Sequence, residues 1–179
     1  MSNNVDNIGF GDNSYRIAVY IGNQPPMDQY QHLDHLAALR LGDIANIGQH
    51  CGNGWRKVFN VYAKLLYALD KAVFSFSTLA PTWQEYRDNF LLQANSNIAL
   101  LFSAPIINTA HYKTIHIIMG KTYANSLVNS KLMTAQLTWL DEEFAINKKA
   151  RVIVCPYFDY RQLSNIKIVR LAELMKSLN

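Results

Sequence analysis

Ile17-Ala18-Val19-Tyr20-Ile21-Gly22-Asn23-Gln24-Pro25-Pro26 is a five-residue apolar run closed by a glycine, two amides and two prolines. A short continuous apolar run bounded by turn residues has the form of a strand buried on both faces. Pro25 and Pro26 lack amide donors and push their predecessors into extended conformation, so no helix continues from it. Three further runs share this form: Ile98–Ser103, Thr114–Met119 closed by Gly120, and Arg151–Cys155 halted by Pro156. Between them the apolar spacing changes to steps of three and four. Trp55, Val58, Phe59, Tyr62, Leu65, Leu66, Leu69 and Val73 predict a long helix behind Asn53 as N-cap. Thr82-Trp83-Gln84-Glu85 has the pattern of a capping box, opening a helix that runs to about Gln93–Asn95. Ile168, Leu171, Leu174, Met175 and Leu178 place a terminal helix over Ile166–Leu178. The same spacing predicts helix in His32–Leu41 and around Leu132, Leu137, Leu140 and Phe144, and Gly42–Gly54 reads as a long loop. Buried strands alternating with helices make an α/β protein, a three-layer sandwich with a central, mostly parallel four-stranded sheet flanked by helices.

The chain of 179 residues is half apolar and 12% aromatic, which suits one packed domain and excludes global disorder. That domain is expected over 17–179, behind a polar, flexible lead of residues 1–16. A formal charge of +4, with basic residues scattered and no long basic run, favours polyanionic partners without naming one. Cys51 and Cys155 form no C-x-x-C pair, so neither a disulfide framework nor a zinc or iron–sulfur knuckle is indicated; the chain is read as cytoplasmic. No apolar signal segment and no run approaching membrane-spanning length is present, so neither secretion nor a membrane partner is expected. No cofactor is called for.

Ligands of open parallel α/β sheets lie outside the carboxyl ends of the strands. Those ends are Gly22–Pro26, Ser103–Asn108, Gly120–Thr122 and Pro156–Arg161. They supply amide readers in Asn23, Gln24 and Asn108, stacking surfaces in Tyr157, Phe158 or Tyr160, and a phosphate contact in Arg161, beside the turn residue Gly22. Packing alone also explains aromatic residues in such a loop. His32 and His35 lack a third metal ligand at recognised spacing, and His50 beside Cys51 lacks the geometry of a nucleophile and its base. His111 is the histidine best placed for acid–base work. Asp141-Glu142-Glu143 reads as a solvated helix face, and Gly9-Phe10-Gly11 lacks the context of a phosphate loop. Trp83, Tyr86 and Phe90 could form an exposed aromatic face, from which a homodimer would follow.

The order of these pieces resembles the uracil-DNA glycosylase superfamily. Val19–Pro26 is similar to that family's first-strand motif, and Gly52-Asn53-Gly54-Trp55 to its glycine-containing helix entry. Lys113–Ala124 is similar to its third strand with Gly-x-x-x-Ala opening the next helix, and Val152–Asp159 to its last strand and catalytic loop. The resemblance implies a glycosylase-like fold that binds a nucleobase, nucleotide or nucleic acid, DNA included. It makes Asn23 the counterpart of the water-positioning residue. The standard excision residues are missing: the last loop has Cys155, Phe158 and Asp159 and no histidine, and Asn23 can orient water but cannot serve as a carboxylate base. Any catalysis would be a divergent glycosylase-like hydrolysis with Asn23 and Asp159 as candidate catalytic residues; without it the domain is a pseudoenzyme. The alternative is a structural or protein-interaction domain that forms a homo-oligomer without catalysis.

Overall fold

The computed structural model describes residues 7–107 and 112–179. Among them one mixed sheet of eight strands and six α-helices form an α/β fold. The four apolar runs are its centre: β2 (Ile17–Tyr20), β4 (Ile98–Leu101), β5 (Ile115–Met119) and β8 (Val152–Cys155), all mutually parallel in the order β4-β2-β5-β8. Ile17 lies between Ile98 and Ile115, and Met119 opposite Cys155.

Every residue of these four strands is buried because both sheet faces are covered. Ile17, Val19, Ile98, Leu100, Ile115, Ile117 and Ile153 point into the larger core. There they meet α2 (Asp43–His50), α3 (Asn53–Ala68), α4 (Trp83–Asn89) and α6 (Asn165–Lys176). The alternate residues Ala18, Tyr20, Ala99, Leu101, Ile118, Val152 and Val154 meet Ala124 and Leu127 of α5 (Lys121–Asn129) in a smaller core. Fully burying a side chain the size of Phe59 or Leu65 contributes about 1.5–3 kcal/mol, so the α3 face is the main apolar anchor of the sheet. The expected N-cap is met at α4, where Thr82 Oγ1 accepts from the Glu85 amide at 3.2 Å.

The sheet is wider than the four strands expected, because four short segments extend it. β1 (Gly9–Gly11) joins antiparallel to β4 and carries β3 (Leu36–Ala37) on its other edge; β7 (Ala145–Asn147) joins antiparallel to β8 and carries β6 (Thr138–Trp139). Residues 9–11, expected within a flexible lead, form β1 instead, with Phe10 fully buried in the sheet. Gly9 and Gly11 are glycines because a Cβ there would stand 2.1 and 2.2 Å from the carbonyl oxygens of Leu100 and Ile98. The segment His32–Leu41, expected as a helix, forms none: the four-residue helix α1 (Asp28–Gln31) ends before it, and the segment carries β3 instead, with Leu41 73% exposed. Six apolar residues in ten positions allow a helical stripe and a strand alike, and pairing with β1 decides between them. The loop expected at Gly42–Gly54 contains α2, whose Ile44 and Ile47 turn inward. The helix expected around Leu132–Phe144 is the β6–β7 hairpin, where antiparallel pairing beside β8 overrides the spacing. The long helix ends at Ala68 rather than Val73, and the α4 helix at Asn89 rather than Gln93. Among the described residues no helix is long and apolar enough to cross a membrane.

Candidate functional site

β4 lies on one side of β2 and β5 on the other, so the strand order reverses direction between β2 and β5. Crevices at such reversals, outside the carboxyl ends, are where open α/β sheets take ligands. A cleft of about 640 Å³ opens there, within the size range of small-molecule sites. Its walls are the ends of three parallel strands and the turn before β7. Gly22 and Asn23 follow β2, Met119 to Tyr123 end β5 and open α5, Pro156, Tyr157 and Gln162 follow β8, and Glu142 and Glu143 close the remaining side.

Local sequence explains each wall. Gly120 stands at φ +96°, a left-handed conformation that suits glycine, and its chain turns directly from β5 into α5. Gly22 lets the Tyr123 ring come close, since a Cβ would lie 3.1 Å from Tyr123 Cδ2. Tyr157 Oη donates to Asn23 Oδ1 at 3.4 Å, joining loops 134 positions apart in sequence. Burial raises the Tyr157 and Tyr123 phenols above their ordinary range, so both are neutral hydroxyls near pH 7. Lys121 Nζ pairs with Glu142 at 3.1 Å and lies 4.9 Å above the Trp139 ring; Glu143 pairs with Lys167 of α6 at 2.7 Å.

Of the residues singled out from sequence, Gly22, Asn23 and Tyr157 meet in this cleft. Gln24 turns away, donating to the Gln31 carbonyl at 3.1 Å and fastening the loop to α1. Phe158 is fully buried and meets Tyr62 of α3 edge-on at 5.8 Å, which makes it a core residue with no face left for stacking. Asp159 also stands apart from the lining. Its Oδ2 accepts from Lys57 of α3 at 2.8 Å and its Oδ1 from the Arg161 amide at 2.9 Å. The Lys57 hydrogen bond, then that amide, hold its carboxyl below the ordinary range, making it a loop anchor and a weak proton acceptor. The Arg161 guanidinium lies 5.8 Å from the exposed Tyr160 ring, which Lys57 approaches to 5.0 Å from its own side. Asn108 and His111 lie outside the described residues.

Sequence reasoning pointed to the Gly120-Lys121-Thr122 strand end but singled out none of its side chains, and it passed over Tyr123 and Gln162. Glu142 and Glu143 belong to a cleft wall, not to a solvated helix face, and nothing local signals this. Asp141, at the head of the same turn, accepts from the amides of Glu143 and Phe144 at 2.8 Å each and pairs with Arg170 of α6. The two amides above all, assisted by Arg170, hold its carboxyl at about 2.

The cleft therefore offers amides, neutral hydroxyls, one ammonium and two aromatic rings. That set can read the edge of a planar polar molecule and hold an anionic group, and neither carboxylate of the lining stands unpaired to abstract a proton. Among the described residues, no cluster of three or more His, Cys, Asp or Glu side chains is placed to hold a metal ion. No curated protein and no solved structure matches the chain. A profile of the family of unknown function DUF6942 matches residues 8–176, so the protein belongs to that family.

Proposed function

We propose that the protein is a divergent uracil-DNA glycosylase-like domain whose cleft binds a nucleobase, a nucleotide or a nucleic acid such as DNA. The observation that carries this reading is the Asn23–Tyr157 contact across the cleft at the β2–β5 reversal. An amide that reads a base edge and a neutral tyrosine beside it are what recognition of an unstacked base requires. The parallel strands β4, β2, β5 and β8 are read as the glycosylase-like sheet, with β1, β3, β6 and β7 as additions at its edges. The motifs that carry the resemblance at β2, β5 and β8 all end at this one cleft. Asp159 is engaged by Lys57, so the reading is one of binding, with excision by the standard residues left out. Cytoplasmic residence belongs to the same reading, with Cys51 and Cys155 as free thiols.

The test is binding of fluorescent single- and double-stranded DNA, with and without uracil, across a salt series. Affinity that falls linearly on a log–log salt plot and drops on Asn23→Ala is the expected result. No binding at low salt to DNA, RNA or nucleotides would end the proposal. Release of free uracil would show that catalysis survives without the standard residues.

A second reading, a homo-oligomer without catalysis, has one observation in its favour. An apolar groove of about 320 Å³ runs between α3, α4 and α6, lined by Trp83, Ile168 and Val169. The exposed aromatic face expected on α4 is not its basis, since Tyr86 is buried at 1% exposure and stacks with Phe90. An oligomer that dissociates on Trp83→Ala would favour this reading.

A further inference from the structure

Three consecutive carboxylates, Asp141, Glu142 and Glu143, each hold a different cation. Asp141 pairs with Arg170 and Glu143 with Lys167, both on α6, while Glu142 reaches Lys121 at the start of α5. The outer two anchor the turn, and Asp141 also caps two of its amides. The middle one is different. Its partner lines the cleft, and the Lys121 and Glu142 side chains are 45% and 96% exposed. An ion pair so open to water contributes about 0–1 kcal/mol and separates readily. The Lys121 ammonium also lies 4.9 Å above the Trp139 ring, a second contact that favours the same position when the pair separates.

We infer that Lys121 is the anion-binding group of the cleft, that its ligand carries a phosphate, and that Glu142 is a tethered competitor which the phosphate displaces. This rests on the reading of the cleft as a nucleotide site and narrows it from a free base to a phosphate-bearing one. Lys121 is the cation of the lining, and the structure already sets an anionic group against it. A neutral ligand gains nothing by displacing Glu142. A phosphate replaces one carboxylate with a group of higher charge and more acceptor oxygens. Held at one turn's length from its anchors, Glu142 raises the threshold that an anion must pass, so singly charged solutes are rejected more than phosphates.

The experiment measures calorimetric affinities for three probes, uridine, uridine monophosphate and inorganic pyrophosphate. The proteins are the wild type, Glu142→Gln, Lys121→Met and Glu173→Gln. Glu173 is on α6, does not line the cleft, and repeats the net-charge change of Glu142→Gln. Glu142→Gln is expected to tighten the monophosphate and pyrophosphate by about two- to fivefold, the worth of an exposed pair, and to leave uridine unchanged. Lys121→Met is expected to weaken both anions by about tenfold or more, as loss of a charge-assisted bond does. Anion binding indifferent to Glu142→Gln, or tightened equally by Glu173→Gln, overturns the inference; if uridine still binds, the base-binding reading survives. Pyrophosphate that responds as expected while uridine does not bind and the monophosphate binds no better than pyrophosphate supports the latch and ends the base-binding reading. No binding of any probe to any of the four proteins overturns the inference and leaves the base-binding reading to the DNA and RNA titrations.

Discussion

The four central strands and the four flanking strands belong to one sheet but form for different reasons. β4, β2, β5 and β8 run four or five residues each, lie between helices or loops on both faces, and are buried at every position. β3, β1, β7 and β6 run two or three residues, and both residues of β6 are exposed. In the centre, apolar burial specifies the strand and hydrogen bonding follows. At the edges a neighbouring strand specifies the segment; β6 buries no side chain, while β1 and β7 add Phe10, Ala145 and Ile146 to the cores. The centre therefore carries stability, while the edge beyond β8 shapes the site by bringing Glu142 and Glu143 to the cleft.

The contrast breaks most readily at Ile117, fully buried on β5 between β2 and β8. Ile117→Ala is expected to cost about 2–5 kcal/mol in urea unfolding, from lost transfer energy and the cavity left behind. A cost under about 1 kcal/mol would mean that the central strands do not hold the domain together.

A smaller and more local effect is expected at Gly9→Ala. Its new Cβ would stand 2.1 Å from the backbone oxygen of Leu100, which cannot rotate away. Separation of β1 from β4 is expected to cost about 1–3 kcal/mol, with hydrogen-exchange protection lost at Phe10 while the Ile117 amide keeps its own. Protection lost equally at both sites would make β1 part of the central unit.

The smallest effect concerns the turn before β7. Asp141 is held at about 2, below its ordinary value, so its stabilising contribution is complete above about pH 4 and is lost as the pH falls toward 2. Because its side chain is 37% exposed, solvent screening keeps that contribution under about 1 kcal/mol. Asp141→Asn is expected to lower the melting temperature slightly at pH 6 and to match the wild type near pH 2. A difference that persists undiminished at pH 2 would show that the charge of Asp141 is not what anchors the turn.

Particular residues show how far the sequence was legible. Ile17–Ile21 and Arg151–Cys155 were readable because strands buried on both faces have no polar positions to dilute the signal. Thr82 was readable because a cap acts on an amide three residues away. Leu36 and Ala37 escape such a reading because two strand residues carry no periodicity of their own, and Leu132–Phe144 because its two strand residues, Thr138 and Trp139, pair with β7, which is itself held by β8. Asn23 and Tyr157 were found as loop residues at strand ends, but their contact across 134 positions was not. Phe158 looked the same as Tyr157 in sequence, and only the packing of α3 behind it separates a core ring from a cleft ring.

By itself, then, the sequence determined the α/β class, the central strands and the loops at their ends, since apolar patterning and turn chemistry act over a few residues. The width of the sheet, the pairing of Lys57 with Asp159, and the arrival of Glu142 beside Lys121 were decided only in the tertiary structure. Those contacts join residues 102 and 21 positions apart, and the free energy that selects them comes from packing whole elements together, which no local stretch encodes.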